Sequence, residues 1–102
     1  MSDHFKLENV RIRHQKNPET FQIPSENDLE KLEEGDIVKL IFVIPAMSAH
    51  HDFLERMWVE ISDKARDEYR GILSNSSIHS SELQPGKIIH FKSENIASIW
   101  AE

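Results

Sequence analysis

The sequence contains no cysteine. Disulfides, thiolate nucleophiles and zinc sites built on sulfur are therefore excluded, and the composition fits a reducing compartment. Glycine is scarce, with three residues, and none stands in a G-x-G or G-K-[ST] cluster, so no phosphate-cradling loop is expected. Long apolar runs are missing too. The longest, Leu40 to Ala46, is far too short to span a bilayer. The opening Met1-Ser2-Asp3-His4-Phe5-Lys6 has no apolar run behind a basic start, so no signal peptide is read. The expectation is a cytoplasmic protein without membrane association. Positive charge is in short supply: 12 Lys and Arg stand against 18 Asp and Glu, a net charge of −6. Such a surface repels phosphate backbones, which disfavours nucleic-acid binding. It would suit a basic partner, but plain solubility is the better reading of a modest negative charge.

What is present is one domain's worth of chain, 102 residues, enough to bury a core without staples. Val10 and Ile12 alternate with polar neighbours and predict a short half-exposed strand, broken at Pro18. Phe21 and Ile23 alternate again before Pro24. Ser25 predicts a helix N-cap, with Glu26, Asp28 and Glu30 favouring the positive end and Gly35 closing a helix of about nine residues. Ile37 to Ile44 is apolar on both faces except at Lys39, the pattern of a strand covered on both sides. A loop follows over 46–52. In the strand Arg56 to Ser62, Met57, Val59 and Ile61 point one way, and Arg56, Trp58 and Glu60 the other. A polar turn over 63–67 leads to a hairpin partner, Glu68 to Leu73, whose Gly71 predicts a bulge or sharp bend. A strand over 87–92 and a final short element over 96–100 complete the chain. Leu32-Glu33-Glu34-Gly35-Asp36-Ile37 is echoed by Leu83-Gln84-Pro85-Gly86-Lys87-Ile88: a leucine for the core, a glycine turn, then a strand. The fold class expected is mainly β (α+β), a single domain: a strongly bent antiparallel sheet or small, partly open barrel of five or six strands with one short helix.

Three groups of residues bear on chemistry, besides the carboxylates Glu55, Glu60 and Asp36, which could meet a histidine in space as such pairs can in any acidic domain. His50, His51 and Asp52, with Glu55 close by, bring nitrogen and oxygen donors together, and only a loop would converge them on a metal; the alternative is a solvated loop. The serines between Leu73 and Leu83 lack a G-x-S-x-G elbow and fit a polar turn. Arg56, Trp58 and Glu60 form the third group. A tryptophan between opposite charges, away from the core face, is a candidate anchor for a partner. The alternative packs Trp58 under the helix or against Trp100, with Arg56 and Glu60 paired at the rim.

The run Phe21-x-Ile23-Pro24, then Leu32-x-x-Gly35-Asp36-x-Val38-Lys39-Leu40-Ile41-Phe42 and Glu55-Arg56-Met57-Trp58-Val59-Glu60-Ile61, resembles the bacterial family called domain of unknown function 2314. So do Tyr69-Arg70-Gly71-Ile72-Leu73-Ser74-Asn75, Leu83-x-x-Gly86 and Ile96-x-x-Ile99-Trp100. The resemblance covers roughly residues 20 to 100. The chain departs from it at Ser76-Ser77, where proline often follows the asparagine, and at Lys87, where aspartate is common. It implies a small bacterial or phage-type domain and supplies no activity.

The function expected is a small binding module for a protein or small ligand, through Arg56, Trp58 and Glu60. Two alternatives are an acidic immunity or inhibitor protein for a basic partner, and a metal-assisted hydrolase using His50, His51, Asp52 and Glu55. No cofactor is expected. The apolar strand over 37–44 suits the centre of one sheet or a dimer seam, so a monomer and a homodimer are both open.

Overall fold

The computed structural model describes residues 5–45 and 51–100. Among the described residues, six strands form one antiparallel sheet: β1 (Lys6–Leu7), β2 (Ile37–Ile44), β3 (Phe53–Ala65), β4 (Glu68–Leu73), β5 (Ile88–Lys92) and β6 (Ile96–Ile99). The order is β1-β2-β3-β4-β5, and β6 also pairs β2. β1 takes Phe42 and Val43 of β2, whereas β6 takes Val38 to Leu40. The sheet curls into a half-barrel, with two short helices, α1 (Val10–Lys16) and α2 (Glu26–Glu30), and a 3-10 turn at Ser93–Asn95.

β2 is covered on both faces, as its composition predicts. Val38, Leu40, Phe42 and Ile44 enter the main core with Met57, Val59, Ile61, Leu73, Ile89 and Phe91. Ile41 points the other way and packs with Val10 of α1 and Ala97 in a second, smaller core. The strand needs apolar residues on both sides because a sheet lies on one side and α1 on the other.

The alternation at Val10 and Ile12 does not make a strand. These residues begin α1, with Val10 buried at 1% exposure and Ile12 at 50%. The Asn9 side chain accepts the Arg11 amide at 3.0 Å, and Arg13, His14 and Lys16 lie at the negative end. Capping and the cover of Ile41 override a two-residue alternation. Phe21 and Ile23, further along, pack against the second core without regular structure.

α2 is capped by Ser25 as expected, its hydroxyl accepting the Asp28 amide at 3.1 Å. The helix stops at Glu30, well before Gly35. Lys64 Nζ from β3 donates to the carbonyls of Glu30 (3.1 Å) and Leu32 (2.8 Å), satisfying the helix end early. Gly35 belongs to a separate turn. Its φ is +96°, and that of Gly86 is +99°. The two echoed segments share one hydrogen-bond pattern. Gly35 N–H donates to Ile61 O and Asp36 O accepts from Ile61 N; Gly86 N–H donates to Leu73 O and Lys87 O accepts from Leu73 N. Each turn thus fastens the start of a strand to its neighbour, at Ile61 within β3 and at Leu73 at the end of β4, while Leu32 and Leu83 plug the core.

β3 is longer at both ends than the expected 56–62, so the hairpin turn shrinks to Arg66 and Asp67. Arg66 takes the left-handed φ of 58° there. The bend expected at Gly71 is met by an irregularity in the opposite strand, between Ile61 and Asp63. A Cβ on Gly71 would stand 2.5 Å from Val59 Cγ1 and 2.7 Å from Glu60 O, so the strands approach too closely for any side chain.

Candidate functional site

Alternation along β3 puts Arg56, Trp58 and Glu60 on the outer face, opposite Ile41, Lys39 and Ile37 of β2. Arg56 and Glu60 are exposed, and Trp58 is half-buried. The Trp58 ring meets Trp100 edge-to-face, centroids 5.2 Å apart and planes at 86°. Lys39 Nζ lies 4.9 Å from the Trp58 ring centroid, a cation–π contact. Trp100, 52% exposed, is held by its amide, which donates to Ile37 O at 2.8 Å. The backbone of Trp58 is fixed past the end of the β4 ladder: the Asn75 side chain accepts its N–H at 2.6 Å, and its carbonyl accepts Ser74 N–H at 2.9 Å.

Of the two readings of this triplet, the packing partner of Trp58 is Trp100 and not the helix. Among the described residues Arg56 and Glu60 form no ion pair with each other. Four positions apart on an extended strand separates them by roughly 13 Å. One step along the sheet, register aligns Ile37, Glu60, Ile72 and Ile88 across four strands, and Ile72 and Ile88 are exposed. A tryptophan pair therefore adjoins an apolar row interrupted by one carboxylate.

Residues 51 to 55 lead elsewhere. The side chain of Glu55, 11% exposed, faces the loop after β4. It accepts the Ser77 hydroxyl at 2.5 Å, the Ile78 amide at 2.9 Å and the His79 amide at 3.1 Å. His79 Nδ1 lies 3.2 Å from the same carboxylate. Burial pushes the Glu55 carboxyl up, but the bonds from Ser77, Ile78 and His79 together outweigh it and hold the group below its ordinary value. The His79 ring stacks on Phe53 at 3.8 Å, and His51 meets Phe53 edge-on at 5.6 Å. Ser77 donates to the carboxylate and accepts amides of its own turn, from His79 and Ser80, so nothing here activates it as a nucleophile.

Of the metal set drawn from the sequence, His50 lies outside the described residues. His51 and Asp52 are exposed, and Glu55 is engaged with the 77–79 loop. No group of three or more metal-ligating side chains occurs among the described residues. The sequence offers Trp100 as one of two packing partners for Trp58, the helix being the other, and gives no sign of Lys39 beneath the ring. It also gives no sign of the Glu55–His79 contact, which joins positions 24 residues apart.

Two grooves stand out among the described residues. The larger, about 770 Å³, runs along β5 and reaches β1, with Phe5, Lys6, Tyr69, Phe91 and Lys92 among its walls. The smaller, about 310 Å³, lies beside α2 and includes Tyr69, whose hydroxyl is pushed up by burial and by the Asp67 charge. Neither groove is lined by Trp58 or Trp100. Compared with protein-family models, curated proteins and solved structures, the chain matches none.

Proposed function

We propose that this chain is a small binding module that engages a partner protein through the outer sheet face centred on Trp58. The observation that carries the reading is the Trp58–Trp100 pair, half-exposed on a rigid ladder and flanked by Arg56, Glu60 and Lys39. Interface anchors are typically aromatic side chains with a polar rim, held in place before the partner arrives. An exposed aromatic pair on an open sheet face suits a protein surface, whereas a small ligand takes a concave site.

The test is site-specific photo-cross-linking in the native host. A photoreactive side chain at Glu60 is expected to give a discrete cross-linked protein. That product is expected to disappear when Trp100→Ala or Trp58→Ala is added, because truncating an anchor costs about 2 kcal/mol or more. The same product from a probe at Glu19, or none from Glu60, would overturn the reading. In the free protein, acrylamide is expected to quench a large part of the tryptophan fluorescence through Trp100. Complete protection from acrylamide would contradict the exposed pair.

A further inference from the structure

We infer that β5 is a strand-addition site for an extended, acidic segment of a partner protein carrying apolar residues at alternate positions. The site meets the row beside the Trp58 face only at Ile88 and does not rest on the Trp58 reading. It begins with the ladder. Leu73 N–H donates to Lys87 O, so the alternation of an antiparallel pair makes Gly71–Ile89 and Tyr69–Phe91 the hydrogen-bonded pairs. The N–H and C=O groups of Ile88 and His90 therefore point away from β4. β5 ends the strand order, and among the described residues no strand pairs its outer edge. Lys92 N–H turns back to the Asn95 side chain at 2.8 Å, which limits the open edge to Ile88 through His90 and the residues beside them.

A free edge alone is a liability that proteins commonly blunt. Here the edge looks into the groove of about 770 Å³ whose far wall is β1, where the half-barrel fails to close. The groove has room for a short extended segment, which main-chain bonds would hold and side-chain pockets would select. Inward positions of such a segment meet the Phe91 and Tyr69 rings, stacked at 5.2 Å, and Phe5. Outward positions meet lysine on both walls, at Lys6 and Lys92, with Arg70 beside His90.

The charge of the groove sets it apart. Four of the chain's 12 Lys and Arg residues line it, against three of its 18 Asp and Glu, an excess of one positive charge within a chain of −6. Arg70 is already paired with Asp63, its Nε donating at 2.8 Å, and Lys64 is committed to α2. What remains for a ligand is Lys6 and Lys92 against Glu68 and Glu94, and Glu68 faces Lys92 across the ladder. The lysines stand at the two lips of the groove, where the outward carboxylates of an alternating segment would lie.

The probe is the capped octapeptide of four Val-Glu repeats, titrated into the ¹⁵N-labelled full chain, with four Val-Lys repeats as the comparison. The acidic peptide is expected to shift the Ile88 and His90 amides downfield and to slow their hydrogen exchange at least tenfold. The basic peptide is expected to bind at least tenfold more weakly. N-methylation of alternate peptide amides is expected to abolish binding in the one register that faces β5; this arm leaves the protein untouched. His90→Pro removes an amide that β4 does not use, so it is expected to abolish binding without loss of the β4–β5 ladder, while His90→Ala is expected to bind. Equal binding of both peptides, indifference to N-methylation in either register, or shifts confined to residues around Trp58 would overturn the inference. So would concentration-dependent shifts of the same amides without peptide, which would assign the edge to a second copy of the chain.

Discussion

Glu55 shows how one side chain can take a role that its neighbours in sequence do not disclose. Beside His50, His51 and Asp52 it looks like a donor for a metal. In the fold its carboxylate gathers Ser77, Ile78 and His79. The polar segment Ser74 to Ser81 is legible as a turn, but no spacing in it says which carboxylate will hold it. Trp58 was more legible, because alternation along β3 separates it from Met57 and Val59, and Trp100 was a nameable partner. The Glu55 carboxyl is held below its ordinary value, so it adds stability that is complete above its unfolded value and fades as the pH falls through the lower folded value. Glu55→Gln keeps the shape but replaces one acceptor oxygen with a donor facing donors. It is expected to cost about 1–3 kcal/mol at neutral pH, with the difference from the parent chain shrinking below about pH 4. Thermal melts across pH 3 to 8 measure this. A gap that does not depend on pH would show that the charge contributes nothing.

At the scale of elements, the sequence was most legible where backbone chemistry leaves few choices. The apolar run of β2, the cap at Ser25 and the two Leu-x-x-Gly turns are all present with the geometry their residues require. It was least legible where tertiary contacts decide. Val10-Arg11-Ile12-Arg13 alternates like a strand, and only the Asn9 cap and the bare face of Ile41 make it a helix. α2 is shortened by a lysine more than thirty positions away. The glycines separate two mechanisms that one residue type serves. At Gly35 and Gly86 a Cβ would meet nothing within 4 Å, and the obstacle is the left-handed backbone alone. Gly35→Ala or Gly86→Ala is expected to cost about 1–2 kcal/mol. At Gly71 the obstacle is packing, since Val59 and the Glu60 carbonyl occupy the space. Gly71→Ala is expected to cost about 3 kcal/mol or more, because the atom in the way includes backbone. Val59→Ala is expected to recover only part of that loss. Urea denaturation of the variants tests the ranking; a Gly71→Ala chain as stable as Gly86→Ala would show that β3 and β4 part easily at that point.

On the scale of the whole molecule, the half-barrel has a dressed side and a bare one. The main core fills the concave side from β2 to β5. On the convex side α1 covers Ile41, and the cover ends there: Arg56, paired with Ile41, is exposed, as are Glu60, Ile72 and Ile88. The sequence indicates that both faces of β2 are buried, but the alternation at Val10 hides which element does the covering. This division makes the second core a local device that leaves the tryptophan pair alone. Val10 touches Ile41 and Ala97, whereas Trp58 and Trp100 are held by each other, Lys39, Asn75 and the carbonyl of Ile37. Val10→Ala removes two buried methyl groups and is expected to cost about 2 kcal/mol. The near-ultraviolet circular dichroism of the Trp58–Trp100 pair is expected to keep its form in the folded variant, because sites without shared partners respond independently. A changed tryptophan signal in the folded Val10→Ala chain would show that α1 positions the binding face as well as covering β2, and the two sides of the half-barrel would then be one coupled unit.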